Sequence, residues 1–575
     1  MKQLFWHHWL ALWIAAAVGL LFVAPQLFFI TSLGPDFNGV YRELSGDELF
    51  YMARVQEVVD GHPTLNNPYY AEHKGGVSTQ FFLPEVLASL PARFFNVGIF
   101  EFFVFYDFAL PAITYLIAYG LFLALGINRG GSSIGALLFV LLEQELLSRP
   151  INLQFVVVPF LLFLLALLQL VKKEKSWFLV LVAGGLFGLL FYLYLYFWSF
   201  AVVLVGIMLI NFFVQQQWGR IARLLQISAI AVLIAIPYFY RLVILRGQAS
   251  FIAMAERLGL LYTRIPSGFK IILPAAILII CLIAIARYQK INFKTFSPTF
   301  IFLLSGLIAS VVVVNQHLIT GINILFSSHY QFQANVFFIL AAAYLLWQVF
   351  SQKKVFSSRL VAVALIGVIC FWFAPSFFSQ LSFSQSQITD QRYGEVINWL
   401  NANTANDSVV LSFGRLNTLI PAYTHNNVYF NGLASLYALS DQEITDRFVR
   451  YYAMHSATSE EIRQSLFGVR GIALRSAGGK QRQLNTLYRL IGKSTVDLEA
   501  IYFPDELVSQ LHNQVNEYVD KSIEATVGQY QVDYIILDST QEGWEGLKFD
   551  LLKQFKPIFS SSGISIFSAD LIKNI

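Results

Sequence analysis

Charged residues are scarce in this chain of 575 residues, at 13% of the total, where soluble proteins have roughly 25%. Cysteine is almost absent, with Cys281 and Cys370 alone, and both lie in apolar runs. That scarcity excludes a disulfide framework and a cysteine-based zinc site in any exposed region. Hydrophobic residues make up 56% of the chain, which excludes both a water-soluble protein of this length and a disordered one.

The chain contains many long apolar runs. A helix needs about 20 apolar residues to cross the hydrocarbon core of a membrane. By this criterion we predict eleven spans, at 10–31, 101–126, 132–148, 151–171, 177–194, 197–213, 224–243, 269–287, 298–316, 331–350 and 359–378.

Basic residues indicate how these spans are oriented. With the N-terminus inside, the short inner segments carry 13 Lys and Arg residues and one acid, Glu174. Lysine and arginine favour the cytoplasmic side of membrane proteins. We therefore predict an N-terminus inside the cell and an extracytoplasmic C-terminus. The membrane itself is expected to be a bacterial cytoplasmic (inner) membrane.

The net charge of +4 divides unevenly along the chain. Residues 1–380 carry 23 basic and 14 acidic side chains, and residues 381–575 carry 16 and 21. Helix and strand patterns alternate in the second part, with a buried strand predicted at 532–538. The predicted fold is a polytopic all-α transmembrane bundle (1–380) followed by a soluble extracytoplasmic α/β domain (381–575).

The first outer loop, at 32–100, is far longer than a simple connection. Ten of the 14 acids in the first part lie between Asp36 and Asp107, in or beside this loop. Ser45 followed by Glu48 predicts a capping box, which starts a helix that runs to about Asp60. The mostly apolar segment 79–95 is expected to lie along the membrane surface.

Arginines on the outer side are exceptions to the preference of basic residues for the inner side, which indicates a binding function for them. A lipid-phosphate donor needs cations at the headgroup level to bind its phosphate. The candidates for binding the donor phosphate, chosen by position, are Arg149, Arg241, Arg246, Arg257 and Arg264.

Transfer of a sugar to a hydroxyl group needs a carboxylate base within hydrogen-bond reach of that hydroxyl. Asp47 lies near the end of the first span, at a helix start that stabilises negative charge. Asp47 is therefore the predicted base, and Glu48 either shares the role or serves as the capping partner.

Asp47-Glu48 with Tyr51 resembles the DE-x-x-Y signature in the first outer loop of the GT-C membrane glycosyltransferases. Protein O-mannosyltransferases and lipid A aminoarabinose transferases belong to this family. The resemblance implies a polytopic enzyme that takes a sugar from a polyprenyl-phosphate carrier, with the loop acid as its base. It also admits a divalent cation as a cofactor; no other cofactor is expected.

Further polar residues could line the acceptor site or the cavity: Tyr51, Glu72, His73, Glu143, Glu145, His317 and His329. Each has a structural alternative. Glu145 and Arg149 are four residues apart and could simply form an ion pair, and the two late histidines could bond to backbone in their hairpin. His62, Glu72 and His73 could bind a cation with Asp47 or be ordinary loop residues.

We therefore expect a membrane glycosyltransferase acting on an extracytoplasmic glycan, lipid or protein acceptor, with membrane lipids around it and no nucleic-acid partner. Two other functions stay open, a lipid or polysaccharide transporter (flippase) and a non-catalytic membrane assembly protein. Transporters usually bind substrate at the bilayer midplane with buried charge there, whereas the charges of this chain gather at one face.

Overall fold

The structure is a computed structural model. It describes residues 2–44, 46–76, 82–95, 97–143, 151, 153–292, 295–324, 327–350, 367, 372–469, 472, 475–540 and 547–570.

The first 350 residues are mostly helical. Their helices are α1 (Lys2–Leu33), α2 (Glu48–Val59), α3 (Leu83–Phe95), α4 (Ile99–Ala124), α5 (Arg129–Leu142), α6 (Gln154–Lys172), α7 (Trp177–Leu190), α8 (Leu195–Val214), α9 (Trp218–Arg246), α10 (Phe251–Arg257), α11 (Phe269–Tyr288), α12 (Pro298–Asn315), α13 (His317–Thr320) and α14 (Tyr330–Phe350). Strands β1 (Leu260–Tyr262) and β2 (Ile322–Ile324) form an antiparallel pair between two loops.

Eight helices in the described residues are long and apolar enough to cross a membrane, namely α1, α4, α6, α8, α9, α11, α12 and α14. The shorter apolar helices α5 and α7 fall where spans were also predicted. The predicted span 359–378 lies mostly outside the described residues. The chain is a multi-pass membrane protein, and the total of eleven spans stays a prediction.

The two ends of the bundle have different polar groups. At one end Lys172 Nζ donates to Ala124 O (2.7 Å), Arg220 Nε to Val171 O (2.8 Å) and Arg223 Nε to Glu174 O (2.6 Å). At the other end the strand pair β1–β2 joins the two later outer segments. The segments predicted to be on the inner side are therefore hydrogen-bonded to one another, and the two outer segments are joined by the strand pair.

Glycines let α7 pack closely against α9. A Cβ atom at Gly184 would lie 2.9 Å from Ile230 Cβ, and one at Gly188 would lie 2.6 Å from Ile234 Cβ. A Cβ atom at Gly185 would meet no described atom within 4 Å. Small residues of this kind allow close helix approach in membranes.

Replacing Gly188 by valine is expected to push α7 away from α9. Overpacking of this kind costs about 1–3 kcal/mol, which should appear as a lower thermal unfolding midpoint in detergent. Gly185→Val is the matched control and should be near neutral. Equal effects of the two substitutions would contradict this account of the packing.

The C-terminal part combines helices with a small sheet. Its helices are α15 (Ala374–Leu381), α16 (Gln385–Thr389), α17 (Gly394–Asn403), α18 (Leu416–Tyr423), α19 (Asp441–Ala453), α20 (Ser459–Leu466), α21 (Arg475–Leu490), α22 (Glu499–Tyr502), α23 (Asp505–Val519), α24 (Ile523–Val527) and α25 (Leu547–Leu552). Its strands are β3 (Val409–Leu411), β4 (Asn427–Val428), β5 (Tyr534–Asp538), β6 (Phe559–Ser561) and β7 (Ile564–Ser568).

The five strands have the order β4-β3-β5-β7-β6. Strand β3 is parallel to both β4 and β5, whereas β7 is antiparallel to β5 and β6. The interior strand β3, between β4 and β5, is buried along its whole length, which explains its uninterrupted apolar sequence Val-Val-Leu. Helices and a sheet share this part, in agreement with the predicted α/β pattern.

The first outer loop packs into the core of the C-terminal part. Buried residues of α2 and α3, such as Met52 and Ala88, belong to the same hydrophobic cluster as β3 and α18. The ring of Phe100 stacks on Tyr423 with centroids 3.8 Å apart. Tyr69 O accepts a hydrogen bond of 2.9 Å from Val428 N on the edge strand β4. The loop and the C-terminal part therefore form one body.

Candidate active site

Asp47 stands at the start of the outer-loop helix. It occupies the N-cap position of α2 and its side chain makes no capping hydrogen bond. The residue is exposed, and its backbone O accepts a hydrogen bond from Tyr51 N (3.3 Å). A carboxylate here benefits from the partial positive charge of the helix N-terminus. The site therefore offers an exposed, electrostatically supported acid.

Glu48 differs from Asp47 in its surroundings. It is buried at 9% relative exposure, and its Oε2 accepts a hydrogen bond of 2.6 Å from Leu44 N. This bond closes the turn before the helix. Ser45, the predicted capping residue, lies outside the described residues, and the N-cap of the helix is Asp47 instead. The geometry favours a structural role for Glu48.

The segment leading to Asp47 is tied to the C-terminal part. Arg415 donates to Glu43, and its Nε donates to Asp390 Oδ2 at 2.8 Å. Arg42 donates to Gln380 O and, at 3.0 Å, to Ser382 O. These contacts fix the backbone on the N-terminal side of Asp47.

A buried arginine fixes the helix on its other side. Arg54 Nε donates to Glu85 Oε1 (2.6 Å), and Arg54 Nη1 donates to the hydroxyl of Tyr437 (3.3 Å). Arg54 is 1% exposed and Glu85 2%. Burial by itself would lower the pKa of Arg54, but the interactions with Glu85 and Tyr437 together outweigh it and raise the pKa. Helices α2 and α3 are thus locked to each other and to the C-terminal part.

The predicted phosphate-binding arginines occupy different surroundings. Arg257 is 4% exposed and its guanidinium donates to Ser435 O, Tyr437 O, Leu439 O and the Asp441 carboxylate. Its donors are thus used within the protein. Arg241 is half-buried with its guanidinium 4.6 Å from the ring centroid of Phe82, beside the first outer loop. Arg246 and Arg264 are exposed, and Arg149 lies outside the described residues.

Glu72 and His73 face the C-terminal part. Glu72 Oε2 lies 3.0 Å from Arg447 Nη2, and His73 Nε2 lies 2.9 Å from Glu443 Oε1. Glu443 also accepts from Arg447 Nε (3.1 Å), and bonding to His73 and Arg447 lowers its pKa against the opposing effect of burial. The guanidinium of Arg447 lies between the rings of Tyr70 (4.1 Å) and Tyr530 (3.8 Å). Glu72 and His73 therefore belong to an ion-pair network between the first outer loop and the C-terminal part.

The remaining candidates are distributed along the outer loops. Tyr51 is half-buried and its ring contacts Phe50 edge-on, with centroids 5.1 Å apart. Glu143 is 5% exposed at the C-terminal end of α5; its neighbour Glu145 lies outside the described residues. His317 Nε2 donates to Ile265 O (2.7 Å), and His329 Nδ1 lies 2.5 Å from the Tyr194 hydroxyl. For His317 the structure shows the backbone bond that the sequence left as an alternative.

The residues proposed to bind a divalent cation do not converge. His62 Nε2 lies 2.9 Å from Asp407 Oδ2, while Glu72 and His73 bond to Arg447 and Glu443. Within the part of the chain that the structure describes, no group of three or more His, Cys, Asp or Glu side chains could hold a metal ion. His62, Glu72 and His73 therefore do not fit a cation bound with Asp47.

A titratable cluster lies at the C-terminal end of α2. Lys74 Nζ pairs with Glu57 and lies 3.3 Å from Asp407 Oδ1. Asp60 accepts from Gln56 Nε2 at 2.7 Å. Burial raises the pKa of Asp60 to about 7; the Gln56 bond opposes this shift, and the charge of Glu57 adds to it.

This cluster predicts a pH-dependent stability. The folded protein keeps the proton of Asp60 up to about pH 7, whereas a free aspartate loses it near 3.8. The free energy of unfolding therefore falls as the pH rises between these values. Asp60→Asn should be more stable than the wild type at pH 8 by on the order of 1–3 kcal/mol, with no difference near pH 4. Thermal unfolding from pH 4 to 8 checks this; an unchanged pH profile in the variant would contradict it.

Sequence reasoning missed the residues that hold the site in place. Arg54, Glu85 and Arg447 were not among the candidates, and Arg54 and Arg447 bond to residues several hundred positions away. No local sequence motif identifies such partners. Their one local signal is a charged residue on the apolar face of an amphipathic helix, which is seldom left buried without a partner.

Comparisons with known proteins bear on the fold. No family model matches the sequence, and no curated protein matches it. The crystal structure of the Archaeoglobus fulgidus oligosaccharyltransferase tethered to an acceptor peptide containing the NVT sequon has a TM-score of 0.50 at 12% identity. The match covers 93% of this chain and 69% of that one. The same oligosaccharyltransferase in complex with Zn and sulfate gives a TM-score of 0.46 at 12% identity, covering 92% and 68%.

The likeness to the peptide-tethered structure shows the fold of the chain. It is the GT-C fold, so the resemblance noted at the Asp47-Glu48 motif is confirmed at the level of the fold.

Proposed function

We propose that this protein is a membrane glycosyltransferase that moves a sugar from a polyprenyl-phosphate carrier to an extracytoplasmic acceptor, with the C-terminal part outside a bacterial cytoplasmic membrane. Asp47 takes the proton of the acceptor hydroxyl as its oxygen attacks the anomeric carbon. The bond between that carbon and the carrier's phosphate oxygen breaks, and the polyprenyl phosphate leaves. The configuration at the anomeric carbon inverts.

The observation that carries this proposal is the position of Asp47 within a GT-C fold. Asp47 is exposed at a helix start, on a loop whose helices pack into the C-terminal core. Accurate positioning of a general base is needed for efficient proton transfer. Support on both sides of Asp47, by Arg415 and Arg54, supplies that positioning.

Arg241 is the arginine we assign to the donor phosphate. It lies near the C-terminal end of the apolar helix α9 and against Phe82, which precedes α3 of the first outer loop. A cation at this depth meets a lipid phosphate at the headgroup level, with the polyprenyl chain among the apolar helices. Arg257 is not assigned to the donor, because its guanidinium is bonded within the protein.

Sugar transfer by the purified chain tests the proposal. The protein in nanodiscs is incubated with a panel of labelled polyprenyl-phosphate sugars and candidate acceptors, and released polyprenyl phosphate is measured. We expect acceptor-dependent release for at least one sugar. If liposomes containing the chain carry the intact sugar lipid across the bilayer without cleaving it, the protein is a flippase and the proposal is wrong.

A further inference from the structure

The C-terminal part contains one segment whose charge is opposite to that of its surroundings. Residues 470–493 contain six basic side chains and no acid, although the whole of 381–575 has 16 basic and 21 acidic residues. Four of the six are exposed: Lys480, Arg482, Arg489 and Lys493. Among the described residues none of these four takes part in an ion pair. Their charge is therefore available to an external partner.

Helix periodicity places two of these cations on one face of α21, whereas Lys480 lies on the opposite side. Arg482, Thr486 and Arg489 follow the spacing i, i+4, i+7, which places them on one face of the helix, and all three are exposed. One turn before Arg482 the same face is packed. Gly478 is buried, and a Cβ atom there would lie 2.2 Å from the ring of Tyr502.

Apolar side chains are exposed beside these cations. Leu490 is 60% exposed, Ile491 64% and Val496 48%. The buried amide of Asn485 holds this turn against the helix, because its Nδ2 donates to Val496 O (2.7 Å) and its Oδ1 accepts from Val496 N (3.1 Å). The turn thus presents an ordered apolar tip.

Helix α21 lies against an outer segment of the bundle. Helix α21 packs against β1 and α10, both of which lie in the short outer segment between the spans α9 and α11. On that segment and its partner hairpin, Ile252 is 68% exposed and Ile319 85% exposed. Exposed apolar side chains therefore occur both on the outer loops of the bundle and at the end of α21.

We propose that α21 and the following turn, residues 475–496, dock on the anionic lipid headgroups of the membrane in which the chain is embedded. Cations with adjacent apolar side chains are the chemistry of an interfacial membrane-binding helix. The arginines meet lipid phosphates while Leu490, Ile491 and Val496 enter the headgroup boundary. A soluble polyanion would use the cations and leave the apolar tip in water, so the observations favour the lipid surface. This docking does not depend on catalysis.

Fluorescence quenching by brominated lipids tests the docking. Bimane is attached to full-length protein carrying Ile491→Cys in a Cys281→Ser/Cys370→Ser background, in nanodiscs with brominated acyl chains. We expect at least twofold quenching in phosphatidylglycerol and little in phosphatidylcholine. High salt should reverse it, because salt screens surface charge. A label at the exposed Ser562 is the matched control and should stay unquenched.

Charge reversal distinguishes the outcomes. Arg482→Glu/Arg489→Glu/Lys493→Glu should remove most of the quenching in phosphatidylglycerol, while Lys556→Glu, at another exposed lysine of the C-terminal part, should leave it intact. Equal quenching at positions 491 and 562, or no effect of the triple reversal, overturns the proposal. If the bimane signal responds to polyphosphate in phosphatidylcholine nanodiscs but not to phosphatidylglycerol, the surface binds a soluble polyanion and the lipid proposal is wrong.

Discussion

Replacing Asp47 by asparagine is expected to lower the rate of sugar transfer by about 10²–10⁴-fold, the usual contribution of a general base. Asparagine has nearly the same shape and can still bond to backbone N–H groups, but it cannot accept the proton of the acceptor hydroxyl. The loss should appear in kcat with little change in the thermal unfolding midpoint, because Asp47 is exposed and makes no side-chain cap.

Two other acids of the same loop serve as controls. Asp36 is exposed as Asp47 is, and Asp36→Asn should keep full activity. Glu48 is buried and bonded to Leu44 N, so Glu48→Gln should alter stability before it alters the pH dependence of transfer. Full activity of Asp47→Asn in the presence of a working donor would remove the base role from this residue.

Arg54→Met is expected to lower the free energy of unfolding by about 3–5 kcal/mol, since it leaves the carboxylate of Glu85 buried without its partner. The two side chains are 2% and 3% exposed, with 2.6 Å between Arg54 Nε and Glu85 Oε1. The double variant Arg54→Met/Glu85→Leu replaces the ion pair by apolar groups and should recover most of this loss.

Denaturation of the four proteins of this double-mutant cycle provides the measurement. Tyr437→Phe is the milder control, because it removes a single hydroxyl 3.3 Å from Arg54 Nη1. A double variant whose loss equals the sum of the two single losses would mean that the pair is not coupled. In that case the ion pair would not lock helix α2 to helix α3.

The local features were predictable from the sequence. The length of the hydrophobic runs predicted the apolar helices, because spanning a bilayer requires a continuous apolar stretch of defined length. The loop helix was expected to end near Asp60 and does, with Asp60 at its C-cap and Gly61 at a positive φ of 108°. The Asp47-Glu48 motif pointed to the GT-C fold, which the structural comparison confirms.

Which candidate residues lie together in space, and with which partners, was less predictable from the sequence. Glu72, His73 and Arg257 were chosen for a donor or acceptor site, and the structure places them in contacts with 435–447 instead. A charged loop residue has the same local appearance whether its partner is a substrate or a distant protein segment. Only the fold distinguishes these cases.

The sequence by itself determined that this is a membrane protein with its acids concentrated in one loop and an α/β pattern after residue 381. These properties depend on composition and periodicity, which are local. Tertiary structure alone decided that the loop and the C-terminal part share one core and that Arg54, Arg257 and Arg447 are buried with partners from distant segments. Such pairs form because a buried charge must be compensated wherever the fold supplies the opposite charge.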